Sequence, residues 1–221
     1  MDERLKDCRR FILDGSEGTD FDPQILRKVP KDRPGEYREV FLLTLRDKVV
    51  QKAMADALAP LLEKIYSPNL YSYRPSGRFG NRTAAAGVLG YLKKHDHEVH
   101  AFKTDVSDYS DHMRHDLLRG KFSKLIPKEK RFLQLLESFL HQPKLVRGAL
   151  HSPIVGIPSG SPLTPLFNNL YLTDLDDEMF RRGEFYRRFG DDILLLSTDP
   201  QRLDDASARL RASLAAHGLP L

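Results

Sequence analysis

The chain has 221 residues, 40% of them hydrophobic and 30% charged, enough to bury one large core or two small ones. Its 35 Lys and Arg against 31 Asp and Glu give a formal charge of +4 and a pI near 9.1, which permits a nucleic-acid partner without demanding one. A single Cys8 excludes an internal disulfide and suits a reducing cytoplasm, the acid-bearing start Met1-Asp2-Glu3-Arg4 is unlike a signal peptide, and no apolar run approaches the roughly 18 residues that span a bilayer.

Residues 14–36 are rich in Gly, Asp, Pro and charge and read as a loop feeding a short strand, Val40-Phe41-Leu42-Leu43. A helix is expected from about Asp47, which would cap it. Val50, Ala53, Met54, Ala57, Leu58, Leu61, Leu62 and Ile65 keep helical spacing along it. Pro60 predicts a kink rather than a stop, because the stripe continues beyond it, and Ser67-Pro68-Asn69 ends the run. Tyr71 to Arg82 reads as a loop holding Tyr71, Tyr73, Arg74, Arg78 and Arg82. A helix over about 83–94 leads to an acid-tipped apolar run, Phe102-Lys103-Thr104-Asp105-Val106. An amphipathic helix over about 128–141 gathers Phe132, Leu135, Leu136, Phe139 and Leu140 on one face. The rigid, turn-dense loop Gly156-Ile157-Pro158-Ser159-Gly160-Ser161-Pro162 opens a helix that points Leu166, Leu170, Leu175 and Met179 at a core.

Phe185-Tyr186, then Phe189-Gly190-Asp191-Asp192, then Ile193-Leu194-Leu195-Leu196 reads as a β-hairpin with two carboxylates at its tip. A last helix runs from about Pro200 to His217, with Gly218 as its stop. In order, the second half is α+β, with helices backing an antiparallel sheet.

The paired acids carry the chemistry. Other Asp-Asp pairs, Asp176-Asp177 and Asp204-Asp205, read as solvated helix positions, whereas Asp191-Asp192 interrupts an apolar hairpin. Acids forced together at a turn repel one another unless a cation neutralises them. Asp105, closing its own apolar run, would complete a site for two metal ions, an arrangement suited to nucleotidyl transfer. Hard cations take oxygen ligands, which fits three Asp. His112, His115, His141 and His151 lack zinc-site spacing and read as surface or packing residues.

Five segments together resemble the prokaryotic reverse transcriptases, most closely those related to group II intron enzymes, over roughly residues 37–221. Tyr37-Arg38 through Asp47-Lys48-Val49-Val50-Gln51-Lys52-Ala53 is similar to the first fingers motif, and Tyr71-Ser72-Tyr73-Arg74-Pro75-Ser76-Gly77-Arg78 to the second. Asp105 through His115-Asp116-Leu117-Leu118 resembles the first palm motif, and Gly156 to Leu163 with Asn169-Leu170-Tyr171-Leu172 the next. Phe189-Gly190-Asp191-Asp192 stands where the family places aromatic-X-Asp-Asp.

The resemblance implies a right-hand polymerase, with fingers over 1–95 and a catalytic palm over 96–221. The family usually continues into a thumb, so that part is expected from outside this chain. It further implies an RNA-directed DNA polymerase in the cytoplasm, acting on an RNA template, a DNA or RNA primer and deoxynucleoside triphosphates, with no membrane partner. Asp105, Asp191 and Asp192 would hold two Mg²⁺ ions, or Mn²⁺ in their place, and the carbonyl of Val106 would add a ligand. Arg38, whose guanidinium fork suits phosphate oxygens, would grip the incoming triphosphate. Arg74 and Arg78 would contact template phosphates, and Pro158, Gly160 and Pro162 would let backbone approach the template–nucleotide pair.

Two departures from the family bear on the nucleotide pocket. Ser159 stands where Gln is usual, and Ser110 stands at the aromatic position that blocks a ribose 2′-hydroxyl, with Tyr109 one place earlier. Both point to a divergent branch such as the defence-associated, abortive-infection enzymes of antiviral defence. Two other functions compete: a template-independent or protein-primed polymerase of the same fold, and a non-catalytic nucleic-acid binder or splicing cofactor. The intact acid trio argues against the last.

Overall fold

The computed structural model describes residues 3–13, 20–30, 35–75, 77–95 and 98–220, with backbone alone at Arg4, Arg38 and Glu39. The chain divides into two compact units, each assembled from two stretches: residues 1–57 with 114–164, and residues 58–113 with 165–221. The position expected to part fingers from palm, after residue 95, lies inside the second unit. Among the described residues no helix is long and apolar enough to cross a membrane.

The first unit holds α1 (Glu3–Leu13), β1 (Gln24–Pro30), β2 (Tyr37–Leu42), the start of α2 (Leu45–Glu63), α4 (His115–Leu125), α5 (Lys130–Leu140), β4 (Lys144–Val146) and β5 (Ala149–His151). Its sheet has the order β2-β1-β4-β5. The hairpins β1–β2 and β4–β5 are antiparallel, joined by a short parallel pairing of Gln24 with Lys144 and Ile25 with Leu145. The loop expected over 14–36 is therefore corrected: Gln24–Pro30 is a strand, while 14–19 and 31–34 lie outside the described residues. The β4–β5 turn, Arg147-Gly148, has positive φ at both positions (51° and 82°), the backbone twist that tight hairpins favour.

Helix α2 begins two residues before Asp47, and Thr44 is its cap, its hydroxyl accepting from the Asp47 N–H at 3.3 Å. Asp47 is instead buried, its carboxylate accepting from the Asp22 N–H (2.8 Å) and from Gln142 Nε2 (3.3 Å). Gln142 in turn bonds Gln51 and Gln24, and Ser161 donates to Gln51 Oε1 at 2.6 Å. Burial pushes the Asp47 carboxyl up, against the pull of Arg46. The buried positions of α2 are Val50, Met54, Ala55, Leu58 and Leu62, while Ala53, Ala57 and Ile65 are exposed and Leu61 half-buried. The apolar stripe is narrower than its sequence spacing suggests because Asp47 and Gln51 share the inward face. Pro60 lies within the helix, which ends three residues later.

The second unit holds the end of α2, α3 (Asn81–Lys94), β3 (His100–Asp105), a 3₁₀ turn at Tyr109–His112, most of α6 (Thr164–Tyr171), α7 (Thr173–Arg181), β6 (Phe185–Phe189), β7 (Asp192–Ser197) and α8 (Pro200–Ala216). Its antiparallel sheet has the order β3-β7-β6. The central strand β7 is apolar throughout Ile193–Leu196 because both of its faces are covered. Helix α8 packs on β7 and β3, and α7 on β6. The single helix expected after the Gly156–Pro162 loop is two, parted at Leu172, although Leu166, Leu170, Leu175 and Met179 are all buried as read. Asp199 caps α8 by accepting from the Gln201 and Arg202 N–H groups. Gly218, at φ 73°, closes the helix: its N–H reaches Ala215 O and that of Leu219 reaches Leu214 O, both at 2.9 Å.

Candidate active site

The β6–β7 hairpin turns through Gly190 and Asp191, with Phe189 paired to Asp192. Gly190 has φ 66° and Asp191 no positive φ, the pattern of a two-residue turn that requires Gly first. Register then decides where the acids meet. Asp105, the last residue of β3, lies directly opposite Asp192, the first of β7, so the two side chains share a face. The Val106 N–H donates to the Asp191 carbonyl at 3.2 Å and closes the pair. Two adjacent carboxylates and a third from far earlier in the sequence thus lie at one end of the sheet, all exposed.

Their electrostatics are those of an acid cluster. Partial burial, then the negative charges of Asp191 and Asp192, raise the Asp105 carboxyl above its ordinary range. Lys103, two residues before Asp105 and on its face, places Nζ 3.0 Å from Asp192 Oδ1. The hydrogen bond it donates there raises its own pKa. Among the described residues no three His, Cys, Asp or Glu side chains close around a metal-sized space as they stand.

Beneath the turn lies a buried network with Arg188 at its centre. Its Nε donates to Asp176 Oδ1 (2.8 Å) and NH2 to Asp176 Oδ2 (2.6 Å), both side chains being 0% exposed. The remaining donors reach Gly190 O (3.1 Å), Asn168 O (3.2 Å) and Asn169 O (2.9 Å). Tyr186 adds its hydroxyl to Asp176 Oδ1 at 2.8 Å. On the other side of the turn the Gly190 N–H donates to Ser72 Oγ (2.9 Å), which donates to Asn169 Oδ1 (2.7 Å). Both polar groups of Gly190 are therefore held by buried partners. The reading of Asp176 as solvated is corrected. The missed signal was periodicity: Leu172, Leu175, Asp176 and Met179 follow i, i+3, i+4, i+7, so Asp176 falls on the apolar stripe of α7.

Arg74 is a second correction. It was read as a template contact, but its Nε and NH2 grip Glu63, its NH1 donates to Ser67 O (2.8 Å) and Leu70 O (3.2 Å), and its guanidinium lies 3.4 Å from the Phe79 ring centre. With its side chain 5% exposed it ties Ser67, Leu70 and Phe79 to Glu63 instead. Arg78 is exposed. Tyr109 is buried, its hydroxyl donating to Asn168 O at 2.7 Å and its ring edge-on to Tyr171, whereas Ser110 is half-buried with Oγ 3.2 Å from Asn168 Oδ1.

The other predicted residues belong to the first unit. Arg38, on β2, pairs with Val29 of β1, and its side chain lies outside what is described. Pro158 is buried and its carbonyl accepts from the Thr164 hydroxyl; Ser159 and Pro162 are half-buried. Gly160 has φ 92°, and a Cβ there would sit 3.2 Å from Val40 Cγ1 and 3.3 Å from Phe41 O, so two separate constraints require glycine. His115 anchors the start of this loop, its Nε2 bonding Gly156 O at 2.8 Å.

Residues 29–221 match the family described as "Reverse transcriptase (RNA-dependent DNA polymerase)". Protein YkfC of Escherichia coli K12 is 28% identical over 156 residues, covering 70% of this chain and 40% of YkfC. The group II intron-encoded protein LtrA of Lactococcus lactis is 25% identical over 178 residues, covering 79% of this chain and 28% of LtrA. The chain thus spans less than half the length of either relative. Among solved structures, telomerase of Candida tropicalis in complex with a fragment of telomeric RNA superposes with a TM-score of 0.70 at 13% identity, over 97% of this chain and 43% of that one. A chain of a partial Cas6-RT-Cas1–Cas2 complex does so with a TM-score of 0.52 at 24% identity, over 96% of this chain and 36% of that one. At such identities the structural likeness concerns the fold.

Proposed function

Since the chain belongs to the reverse transcriptase (RNA-dependent DNA polymerase) family, we propose that it carries out RNA-templated nucleotide addition at the acid-tipped end of the β3-β7-β6 sheet. One observation supports this above the others: Asp105 and Asp192 face each other in register, with Asp191 tied to the adjacent Val106. The donor set is all carboxylate oxygen, exposed and mutually repulsive, which fits a hard divalent cation. Asp105, Asp191 and Asp192 would hold Mg²⁺, or Mn²⁺ in its place, with the Val106 carbonyl as a further oxygen. Bound there, two ions would activate the primer hydroxyl and stabilise the departing pyrophosphate. The protein's own part is positioning: the Arg188 and Ser72 contacts fix the turn, and Arg38 holds the triphosphate. In this reading residues 1–95 act as fingers, residues 96–221 as palm, and a thumb comes from outside residues 1–221. Extension of a DNA primer on an RNA template tests it, with a template-free control for untemplated addition. No extension by protein that binds Mn²⁺ would favour the non-catalytic alternative.

Lys103 competes with metal for Asp192. Lys103→Met should therefore tighten Mn²⁺ binding by a few fold, read directly from the free-ion signal in electron paramagnetic resonance. The effect is small because the pair is solvent-exposed. Arg38→Ala should weaken use of the incoming nucleotide about ten- to a hundredfold, the scale of one charge-assisted phosphate contact, while primed-template affinity holds. An equal loss of template affinity would reassign Arg38 to the nucleic-acid track.

Sugar selection should be relaxed. A serine hydroxyl at position 110 cannot block a 2′-hydroxyl by bulk, and Tyr109 is held in the core by Asn168 and Tyr171. Ribonucleotides should be incorporated, and Ser110→Phe should suppress this. Strong deoxynucleotide preference in wild type, lost in Tyr109→Ala, would give the gate to Tyr109 instead.

A further inference from the structure

Arg187 and Arg188 are successive residues of β6, so they face opposite sides of the sheet. Arg188 is balanced by Asp176 and bonded at every donor nitrogen. Arg187 is not balanced. Its NH1 donates to Asn69 Oδ1 and Tyr186 O, both at 2.7 Å, while its Nε is buried without an acceptor. Among the described residues it forms no ion pair, and burial lowers its pKa with only the Tyr71 phenol opposing. A half-buried guanidinium without an anion is costly, which is why such groups are nearly always paired.

The surroundings hold the fork in place. The guanidinium lies 4.4 Å from the Phe185 ring centre and 5.5 Å from that of Tyr71, which fixes its plane. Gly87 of α3 passes over its Nε edge, where a Cβ would stand 3.5 Å from Nε and 3.6 Å from NH2. Arg187 also borders a cavity of about 500 Å³ whose wall includes Tyr91, Phe185, Glu184, Asp199 and Arg202. Both acids of that wall are engaged. Glu184 pairs with Arg202 (3.5 Å) and Arg209 (3.1 Å), and Asp199 accepts backbone N–H groups as the cap of α8. With Nη1 used and Nε enclosed, Nη2 of Arg187 is the donor left without an acceptor among the described residues, and Arg187, Arg202 and Arg209 together outnumber Glu184 and Asp199 by one charge.

We propose that Arg187, seconded by Arg202, forms an anion site that takes a phosphate group, presented by a free phosphate or by a nucleotide. It lies outside the acid cluster and does not depend on the polymerase reading. A guanidinium donor makes a short, charge-assisted hydrogen bond to a phosphate oxygen, and the charge of Arg187 adds to it. Tyr91 and Phe185 offer an aromatic wall for a base.

Calorimetric titration in metal-free buffer, with inorganic phosphate and separately with dAMP, tests the site. Binding should be millimolar or tighter and fall about tenfold or more in Arg187→Gln, with a smaller loss in Arg202→Gln. Tighter binding of dAMP assigns the site to nucleotides, and equal binding assigns it to the phosphate alone. Should Arg187→Gln fail to fold, phenylglyoxal labelling of the wild-type protein replaces it: phosphate should protect the peptide bearing Arg187. No binding at tens of millimolar, undiminished binding in Arg187→Gln, or no protection overturns the proposal.

Discussion

Asp191→Asn is expected to abolish nucleotide addition while leaving the protein folded and no less stable. The exchange preserves shape and hydrogen-bonding size but removes one of three negative charges that share the end of the sheet. If Asp191 serves in the proposed two-ion site, its loss should forfeit several kcal/mol of transition-state stabilisation, about a thousandfold in rate or more. Stability should move the other way. Asp191 and Asp192 both push the Asp105 carboxyl up, so removing a charge relieves repulsion in the folded state. Primer extension beside a thermal melt checks both halves. Activity within tenfold of wild type would place the chemistry elsewhere, and a large drop in melting temperature would show the acid to be structural.

Arg188→Met is expected to be severely destabilising, by about 3–5 kcal/mol, because it strands a buried Asp176 carboxylate. Against a total of about 5–15 kcal/mol for an ordinary domain, that consumes much of the margin. Replacing Arg188, Asp176 and Tyr186 together by Met, Leu and Phe removes every charge and leaves no polar group stranded among the three. Urea unfolding should show that this triple variant recovers most of the lost stability. Nucleotide addition should remain impaired in it, since the Gly190 carbonyl has lost its donor and the acid-bearing turn its support. Stable triple-variant protein with wild-type activity would make the network a matter of folding alone.

The acid-tipped hairpin was legible in sequence because three signals coincide there: a long apolar strand, a glycine where the turn demands positive φ, and acids that such a strand would otherwise exclude. Helices α5 and α8 were legible from periodicity and, for α8, from its terminal glycine. Strand β1 was hidden because only its first residue, Gln24, is buried, and its apolar Ile25, Leu26 and Val29 follow no alternation between a core face and a polar one. Its partner β4 lies far along the chain, and with three residues that strand carries no usable pattern. Arg74 misled for a different reason. Arginine among aromatics is common to nucleic-acid grooves and to packed loops, and only the position of Glu63, eleven residues away, decides between them. Asp47 failed as a cap because Thr44 already filled that role.

The two compact units exchange the chain three times, at about residues 57, 113 and 164. No single proteolytic cut can therefore release either unit whole: cleavage near residue 95 would split the second unit and separate the first unit's early strands from β4 and β5. During synthesis the first unit has all its residues once Thr164 has been added, while the second still awaits everything from Pro165 onward. At about 5–20 residues per second, that interval lasts roughly 3–11 s. For the first part of it, until Ser197 is added, Asp105 stands on a strand whose neighbour β7 has yet to be made. The acids can thus come together only after β7 has been made, later than every residue of the first unit.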